Sequence, residues 1–389
     1  MKRALIIASV FILFSSGISA QEKISIDGYF SDMQAGIHIP VSGWLWENQF
    51  QNRINLNFYP ATWLSGSIRL RNRFLCGSDL LVSAIPAEAS DPGLISLALG
   101  GGNNMGDKSG YRWSVIPDRA WIELSFGKLV IKAGRQRINW GQTFVWNPND
   151  IFNNYSFFDI DYPERPGSDA ILLQYYTGEA SDMELVAKTD SSGKATASGY
   201  FRFNIHGYDI QVLTGILKEK DMVFGLGWSG TLFGLSFRGE STYFRDLEHF
   251  ADSTGTLMIS TGLDYTFSSG LFLQGEVLYS GFAKNASVND LFGYLNSNLD
   301  VKKIGFAPWS FYAGMNYPIT PLLTGSLSAI VYPAWKGFYV GPDFEFSVTD
   351  NLSLSLISQI FSLATDNPVT GDNERENYFF GFLRLKWNF

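Results

Sequence analysis

The sequence predicts an all-β fold: a transmembrane antiparallel up-and-down β-barrel of about 18 strands (16–18) with short turns at one end and long loops at the other. Three observations support this prediction. The carboxy-terminal segment 378–389 alternates in polarity and ends in an aromatic residue. The composition is 46% hydrophobic and 16% aromatic, yet the mean hydropathy is zero. The connections between predicted strands alternate in length. Strands with one lipid face and one water face produce all three features.

The last predicted strand shows the alternation most clearly. One parity is apolar: Phe379, Gly381, Leu383, Leu385, Trp387 and Phe389. The other parity becomes charged toward the end of the chain: Phe380, Phe382, Arg384, Lys386 and Asn388. Neighbouring side chains of a strand point to opposite faces, so this strand has an apolar face and a polar face. Its terminal Phe389 resembles the targeting signal of bacterial outer-membrane β-barrel proteins. The resemblance implies the bacterial outer membrane as the location and the barrel-assembly machinery as a partner.

The amino-terminal end predicts a signal peptide. Met1, Lys2 and Arg3 are followed by the apolar run 4–14, and Ala20 is a small residue before a cleavage point. We therefore expect a signal peptide at 1–20 and a single barrel domain at 21–389. The alternative is a buried or membrane-spanning helix. No later apolar run approaches the ~20 residues that a helical span requires.

Charge and composition exclude several function classes. The net charge of −8 argues against general nucleic-acid binding. Cys76 is the single cysteine, so an internal disulfide is excluded, and three histidines leave little material for a metal site. We expect no cofactor, no metal and no nucleic-acid partner.

Eighteen segments have the length and the pattern of barrel strands. They are 26–39, 51–58, 63–75, 118–126, 128–136, 167–177, 183–189, 195–205, 208–217, 221–228, 232–245, 256–267, 271–282, 309–317, 322–332, 337–348, 352–363 and 377–389. Turn residues such as His206-Gly207 join some pairs. Longer loops are predicted at 76–117, 137–166, 246–255, 283–308 and 364–376. The short connections are expected to be periplasmic and the long ones external, with both chain ends periplasmic.

Parity then predicts a basic wall inside the barrel. Its residues are Arg53, Arg69, Arg71, Arg73, Arg119, Lys132, Arg384 and Lys386, with Glu123 as the main inward acid. An arginine that faced lipid at the midplane would cost ~2–4 kcal/mol, so these charges are expected to face the lumen or the rims. Elsewhere the inward parity carries Glu184, Asp209, Glu240, Asp264, Glu276, Asp343 and Glu345. The lumen is therefore predicted to be basic on one side and more acidic on the other. Two interpretations remain open: an aqueous pore, or charges that pair across the lumen and plug it.

Segment 137–166 is too long for a turn and too aromatic for a solvated loop. We expect it to fold inward and narrow the pore. The predicted contacts come from Arg135, Arg137, Asn139, Trp140, Trp146, Asn149, Asp150 and Arg165. The alternative is an outer lid with structural ion pairs.

The same region carries a motif. Gly134-Arg135-Gln136, then Trp140-Gly141, then Asn147-Pro148-x-Asp150 resembles a motif of porin-like outer-membrane proteins related to the alginate-export type. The resemblance implies an arginine-lined barrel that passes an anionic polysaccharide. This chain departs from that pattern in its lumen acids and its negative net charge. We therefore expect passive passage of small polar or anionic solutes, acidic saccharides among them.

Two other classes of function remain as alternatives. One is a non-conducting barrel that acts as a scaffold, adhesin or assembly partner. The other is an outer-membrane hydrolase, for which the candidate histidines are His38, His206 and His249. Neither a Gly-x-Ser-x-Gly elbow nor a His-Glu-x-x-His motif is present in the sequence, and we predict no catalytic residue. Carboxylates suit Ca²⁺, but the spacing of Asp159, Asp161 and Glu164 does not match that of a known calcium-binding loop. Outer-membrane lipid and lipopolysaccharide are the expected surroundings.

Overall fold

The chain folds into a closed antiparallel barrel of 18 strands in the computed structural model. The structure describes residues 23–40, 42–84, 99–104, 109–153, 155–160, 167–252, 254–283, 300–366 and 373–389. The predicted signal peptide at 1–20 lies outside the described residues. This architecture confirms the predicted fold class.

The strands follow one another around the barrel in chain order. Their bounds are β1 (Ile24–Ile39), β2 (Gly43–Ala61), β3 (Leu64–Ser78), β4 (Leu99–Asn104), β5 (Ser109–Phe126), β6 (Leu129–Gln136), β7 (Ser168–Tyr176), β8 (Asp182–Thr189), β9 (Ala195–Ile205), β10 (Tyr208–Leu217), β11 (Asp221–Leu232), β12 (Leu235–Asp246), β13 (Thr256–Thr266), β14 (Phe272–Ser280), β15 (Trp309–Thr320), β16 (Leu323–Tyr332), β17 (Gly337–Thr349), β18 (Leu352–Asp366) and β19 (Asn373–Asn388). A short helix, α1 (Asp79–Ala84), follows β3. Short 3₁₀ turns lie at Gly281–Ala283, Val301–Lys303 and Pro333–Trp335. No helix among the described residues is long and apolar enough to cross a membrane.

Strand β4 is an addition to the barrel. It pairs with residues 110–115 of β5, while β6 pairs with the same edge of β5 only from residue 120 onward. The barrel order therefore passes from β3 to β5 and continues to β19.

The first and last strands close the barrel. β1 pairs antiparallel with both β2 and β19. At the end of the seam, the Gly28 and Phe389 backbones exchange two hydrogen bonds of 3.0 Å each. Closure leaves β1 and β19 without an open edge, which a hydrocarbon layer would not tolerate.

The two ends of the barrel differ in their connections. At one end, which we call the turn end, β9–β10 and β11–β12 are joined by two-residue turns. His206-Gly207 and Phe233-Gly234 have positive φ at both positions, the geometry that suits a tight antiparallel hairpin. At the opposite, loop end, the long segment after β6 and the insertion that contains α1 and β4 leave the barrel.

Aromatic side chains form a band near each end of the outer wall. At the turn end, Trp63 packs on Phe126 with ring centroids 6.2 Å apart, and Phe30 stacks on Trp387 at 5.9 Å. At the loop end, the ring contacts Trp44–Phe379 and Tyr279–Trp309 lie at 5.7 and 4.9 Å. The outer wall between these bands is mostly aliphatic and exposed. Interfacial aromatic girdles around an apolar band are typical of membrane barrels.

The starts of β2 and β5 differ most from the prediction. β2 begins at Gly43 rather than at 51, and the prediction missed its first part because inward Leu45 and outward Asn48 break the polarity alternation. β5 begins at Ser109 rather than at 118, so the predicted loop 76–117 contains the end of β3, α1, β4 and the first half of β5. Pro117, which argues against a central strand, lies beside a register shift between β3 and β5.

The seam provides a test of barrel closure. A Cβ atom added at Gly28 would lie 2.1 Å from the Arg53 carbonyl oxygen and 2.8 Å from Cζ of Phe389. Overpacking a filled site typically costs roughly 1–3 kcal/mol, and we expect Gly28→Val to lower the free energy of unfolding by this much or more. Urea unfolding and the heat-dependent shift in electrophoretic mobility measure this. The control is Gly101→Val, where an added Cβ meets nothing within 4 Å. Equal stability of the two variants would contradict the assigned seam.

Candidate solute pathway

The segment after β6 lies inside the barrel. We call its described residues, 137–153 and 155–160, the inner loop. Its backbone and side chains bond to residues of β8, β10, β12, β14, β18 and β19. It therefore crosses the lumen from the β6 wall to the wall beside the seam.

Glu240 on β12 is the first anchor of the inner loop. Its carboxylate accepts hydrogen bonds from the Thr143 hydroxyl at 2.5 Å, the Asn147 amide group at 3.0 Å and the Asn149 backbone N–H at 3.2 Å. The side chain is fully buried. A buried carboxylate is tolerated when donors surround it, as they do here.

Glu276 on β14 is the second anchor. It accepts three successive backbone N–H groups, from Phe144 at 3.0 Å, Val145 at 3.1 Å and Trp146 at 2.8 Å. The Ser260 hydroxyl donates a further bond of 2.8 Å. This side chain, too, is buried.

Several acids of the predicted acidic side of the lumen are bound to donors of the protein. Glu184 on β8 behaves like Glu240 and Glu276, since it accepts a bond of 2.7 Å from the Trp140 indole N–H. Asp264, another acid of the predicted set, pairs with Arg238 at 2.7 Å. These four carboxylates bind donors of the protein itself.

Aromatic packing fixes both ends of the inner loop. Trp140 stacks on Tyr200 at 5.2 Å and meets the edge of Phe152 at 5.0 Å. At the far end, Phe158 lies 5.0 Å from the rings of both Tyr339 and Phe361. Ring contacts of this kind add to the apolar area that they bury.

Hydrogen bonds hold the far end against the seam wall. Gln359 donates to the Phe158 carbonyl at 2.9 Å, and Arg384 donates to the Ile160 carbonyl at 3.0 Å. One predicted wall arginine therefore contacts the inner loop directly.

Glycines in the wall make room for the loop. A Cβ added at Gly225 of β11 would lie 2.6 Å from Oδ1 of Asn149. That asparagine donates to the Leu226 carbonyl at 3.2 Å and accepts from the Thr242 hydroxyl at 2.7 Å. The close approach of loop and wall therefore requires glycine at position 225.

The predicted basic wall lies on the inner face of β2, β3 and β5. In the strand register Arg53 lies opposite Arg71, and Arg69 lies opposite Arg119. Like charges directly opposite one another are destabilising. An acid is therefore needed among them.

Asp118 provides that acid. A register shift between β3 and β5 places Asp118 next to Arg119 on the inner side. Its carboxylate pairs with the Arg53 guanidinium and lies 3.2 Å from Nη1 of Arg119. Asp118 is therefore an acid of this wall that parity did not predict, in addition to Glu123. Glu123 pairs with Lys132 at 3.1 Å, in a partly exposed position nearer the turn end.

Exposure divides the wall into two parts. Arg53, Arg71, Arg73 and Arg119 are buried, with at most 4% of each residue accessible. A second group is partly or fully accessible: Arg69, Lys132, Arg137, Asn139, Arg384 and Lys386. Among these, the Lys386 ammonium lies 4.3 Å from the Tyr29 ring centre.

The remaining predicted loop residues occupy different environments. Arg135 belongs to β6, shares the parity of the outward residues Ile131 and Ala133, and pairs with both carboxylate oxygens of Asp169 at 2.7 and 3.0 Å. It is therefore a residue of the strand that faces away from the lumen, as its parity with Ile131 and Ala133 requires, and the loop begins only after Gln136. Trp146, Asn149 and Asp150 are buried within the loop packing. Arg165 lies outside the described residues.

The histidines do not form a catalytic arrangement. His38 packs its ring 5.3 Å from Trp44 on the outer wall, and His206 occupies a two-residue turn. Among the described residues, one group could hold a metal ion: the largely exposed Asp246, Glu248 and His249. Asp161 and Glu164 fall outside the described range.

Comparison with solved structures places the fold. The chain is similar to Acinetobacter baumannii OccAB3, with a TM-score of 0.58, 9% identity and coverage of 95% of this chain and 100% of that one. It is similar to Pseudomonas aeruginosa OccK9 (OpdG), with a TM-score of 0.57, 12% identity and coverage of 95% and 99%. It is also similar to P. aeruginosa OccK11 (OpdR), with a TM-score of 0.55, 12% identity and coverage of 94% of this chain and 96% of that one. These neighbours are outer-membrane porins. The chain has the fold of an outer-membrane porin.

No protein-family model matches the sequence, and no curated protein matches it either. The structural neighbours are porins and channels rather than enzymes.

The anchoring carboxylates provide a second test. Glu240→Ala with Glu276→Ala removes the acceptors of backbone and side-chain donors in the inner loop. Hydrogen bonds to a charged group contribute roughly 1.5–3 kcal/mol each, so we expect the loop to detach from the wall. Single-channel recordings in planar bilayers should show a larger and noisier conductance. The matched control is Glu345→Ala, an inward acid near the turn end of β17. Unchanged conductance in the double variant would contradict the assigned anchoring.

Proposed function

We propose that this porin-fold barrel is an outer-membrane channel for the passive passage of small polar or anionic solutes, acidic saccharides among them, and that the inner loop narrows it. One observation supports this most directly. Glu184, Glu240 and Glu276 are bound to the inner loop, whereas Arg69 is a partly exposed residue and Arg137 is an exposed one. We therefore expect the lumen to favour solutes that carry negative charge.

The arrangement of the cations suggests how a solute moves. Arg69 and Arg137 lie close enough to Arg119 for their charges to act on it. Arg384 and Lys386 lie on the last strand, closer to the turn end. An anion can pass from the first group to the second, and several sites of moderate attraction allow both entry and release.

The identity of the solute is the finer part of the proposal. The motif at 134–150 resembles the alginate-export type, whereas the solved structures similar to the chain are Occ and Opd proteins. Both sources support a channel. The accessible arginines favour carboxylates, which a planar guanidinium binds in a bidentate manner.

We further propose that the loop end is external and the turn end periplasmic, with lipopolysaccharide around the loop end. The closing strand with Phe389 would be the element that the barrel-assembly machinery reads. Short periplasmic turns and long external loops are the usual arrangement in outer-membrane barrels.

The second candidate function is a non-conducting barrel that serves as a scaffold or assembly partner. It is favoured by the inner loop, which spans the lumen, and by the burial of Arg53, Arg71 and Arg73. Planar-bilayer recordings of the purified protein separate the two candidates. Discrete conductance steps support the channel, and a silent barrel supports the scaffold.

Charge selectivity tests the proposed pathway. We expect Arg69→Gln with Arg137→Gln to lower the anion-to-cation permeability ratio roughly two- to fivefold, because accessible positive charge concentrates anions in the lumen. The reversal potential across a KCl gradient measures this ratio. The control is Arg245→Gln, a charge at the loop end that bonds to the Phe250 carbonyl. A preference for cations in the unaltered protein would refute the proposal.

A further inference from the structure

The outer wall carries a cluster of polar side chains within its apolar band. Asp32 and Gln34 lie on β1, Asn48 and Asn52 on β2, and Asn72 on β3. We call these five residues the polar patch. They are separate from the solute pathway, because they lie on the opposite face of the wall.

Strand register shows that the patch faces outward. Asn52 lies opposite Asn72, while the flanking pairs Gln51–Arg73 and Arg53–Arg71 face the lumen. In the neighbouring register, Asp32 lies opposite Phe50 and Gln34 lies opposite Asn48. Large exposed apolar residues on the same face, Phe50 and Phe74, surround the patch.

The patch lies between the two aromatic bands. On β2 the outward residues run from Trp44 and Trp46 at the loop end to Phe58 near the turn end, and both asparagines of this strand fall between them. On β1 the patch residues fall between Phe30, which stacks on Trp387, and His38, which packs on Trp44. The polar patch is therefore at hydrocarbon depth.

The remainder of the described outer wall does not repeat this chemistry. On their outer faces β13 presents Leu257, Ile259, Thr261 and Leu263, and β15 presents Phe311, Ala313 and Met315. A carboxylate and four carboxamides are thus concentrated on β1–β3. The Arg135–Asp169 pair lies nearer the loop end than the patch does, at the loop ends of β6 and β7.

Hydrogen bonds within the patch use only some of the donor and acceptor positions of its side chains. Asn48 donates to Asp32 at 2.8 Å, and Asn72 donates to Asn52 at 2.7 Å. A carboxylate has about four acceptor positions, and a carboxamide has two donors and an acceptor oxygen. Gln34 is exposed, and Asp32, Asn48 and Asn72 are partly exposed. Lipid tails offer no hydrogen bonds to these groups.

The occupant must therefore present amide donors and carbonyl or carboxylate acceptors at hydrocarbon depth. The patch itself has this composition, so it is complementary to a copy of itself. Beside the patch the outer surface has no protruding side chains at one point, because Gly36 of β1 lies opposite Gly381 of β19 on the outward parity. Small residues that permit close approach and polar residues that bond across the contact are the features of membrane-protein interfaces.

We propose that the outer face of β1–β3 is a homodimer interface, in which the polar patches of two copies of this chain meet across a two-fold axis along the membrane normal. A self-complementary surface fits a two-fold contact, in which the same residues serve both partners. The proposal is independent of what the barrel transports.

Cysteine crosslinking in outer membranes tests this interface. In the Cys76→Ser background, Gln34→Cys should form a covalent dimer with a short bismaleimide. Met315→Cys, on the outer face of β15, is the matched control and should remain monomeric. Adding Asp32→Leu, Asn48→Leu and Asn72→Leu to the Gln34→Cys protein should lower the dimer yield about tenfold or more. Density-matched sedimentation in detergent gives an independent measure of the oligomeric state.

Folding is checked separately by the heat-dependent mobility shift and by conductance, which the leucine variant should retain. Three results would overturn the proposal: equal crosslinking at positions 34 and 315, an undiminished dimer in the leucine variant, or crosslinking of position 34 to a different protein.

Discussion

Every backbone amide at hydrocarbon depth must find its partner within the protein, and this constraint determines the architecture. The reciprocal Gly28–Phe389 bonds at the seam complete a ladder that would otherwise leave two open edges. Closure then separates two environments, and alternation along each strand assigns side chains to lipid or to the lumen. The inner loop and the basic wall both depend on that separation.

The inner loop meets the same requirement by different means. It has no neighbouring strand, so its amide groups need acceptors from the wall. Glu276 serves three successive N–H groups, and Glu240 serves a mixture of backbone and side-chain donors. Carboxylates on the inward parity therefore do structural work here.

The fold could be predicted from the sequence because its determinants are periodic. The parity of 378–389 and of the arginines on β3 needed no tertiary information. The inward position of Asp118 could not be predicted, since it depends on a register shift between two strands. The positions of Glu240 and Glu276 followed from parity, but their loop partners did not, because a contact across more than 90 residues leaves no periodic trace. Arg135 could have been placed from the sequence, since strand parity puts it with Ile131 and Ala133 on the outer face.

The early part of β2 was missed because Leu45 faces inward and Asn48 faces outward, which breaks the alternation, and Asn48 belongs to the surface that we assign to a second copy. The manner of loop attachment has a further consequence. Phe144, Val145 and Trp146 are held through main-chain groups, which every amino acid except proline possesses. The three bonds to Glu276 therefore do not depend on which side chains these positions carry. A single wall carboxylate can in this way hold loops of different sequence in the same place.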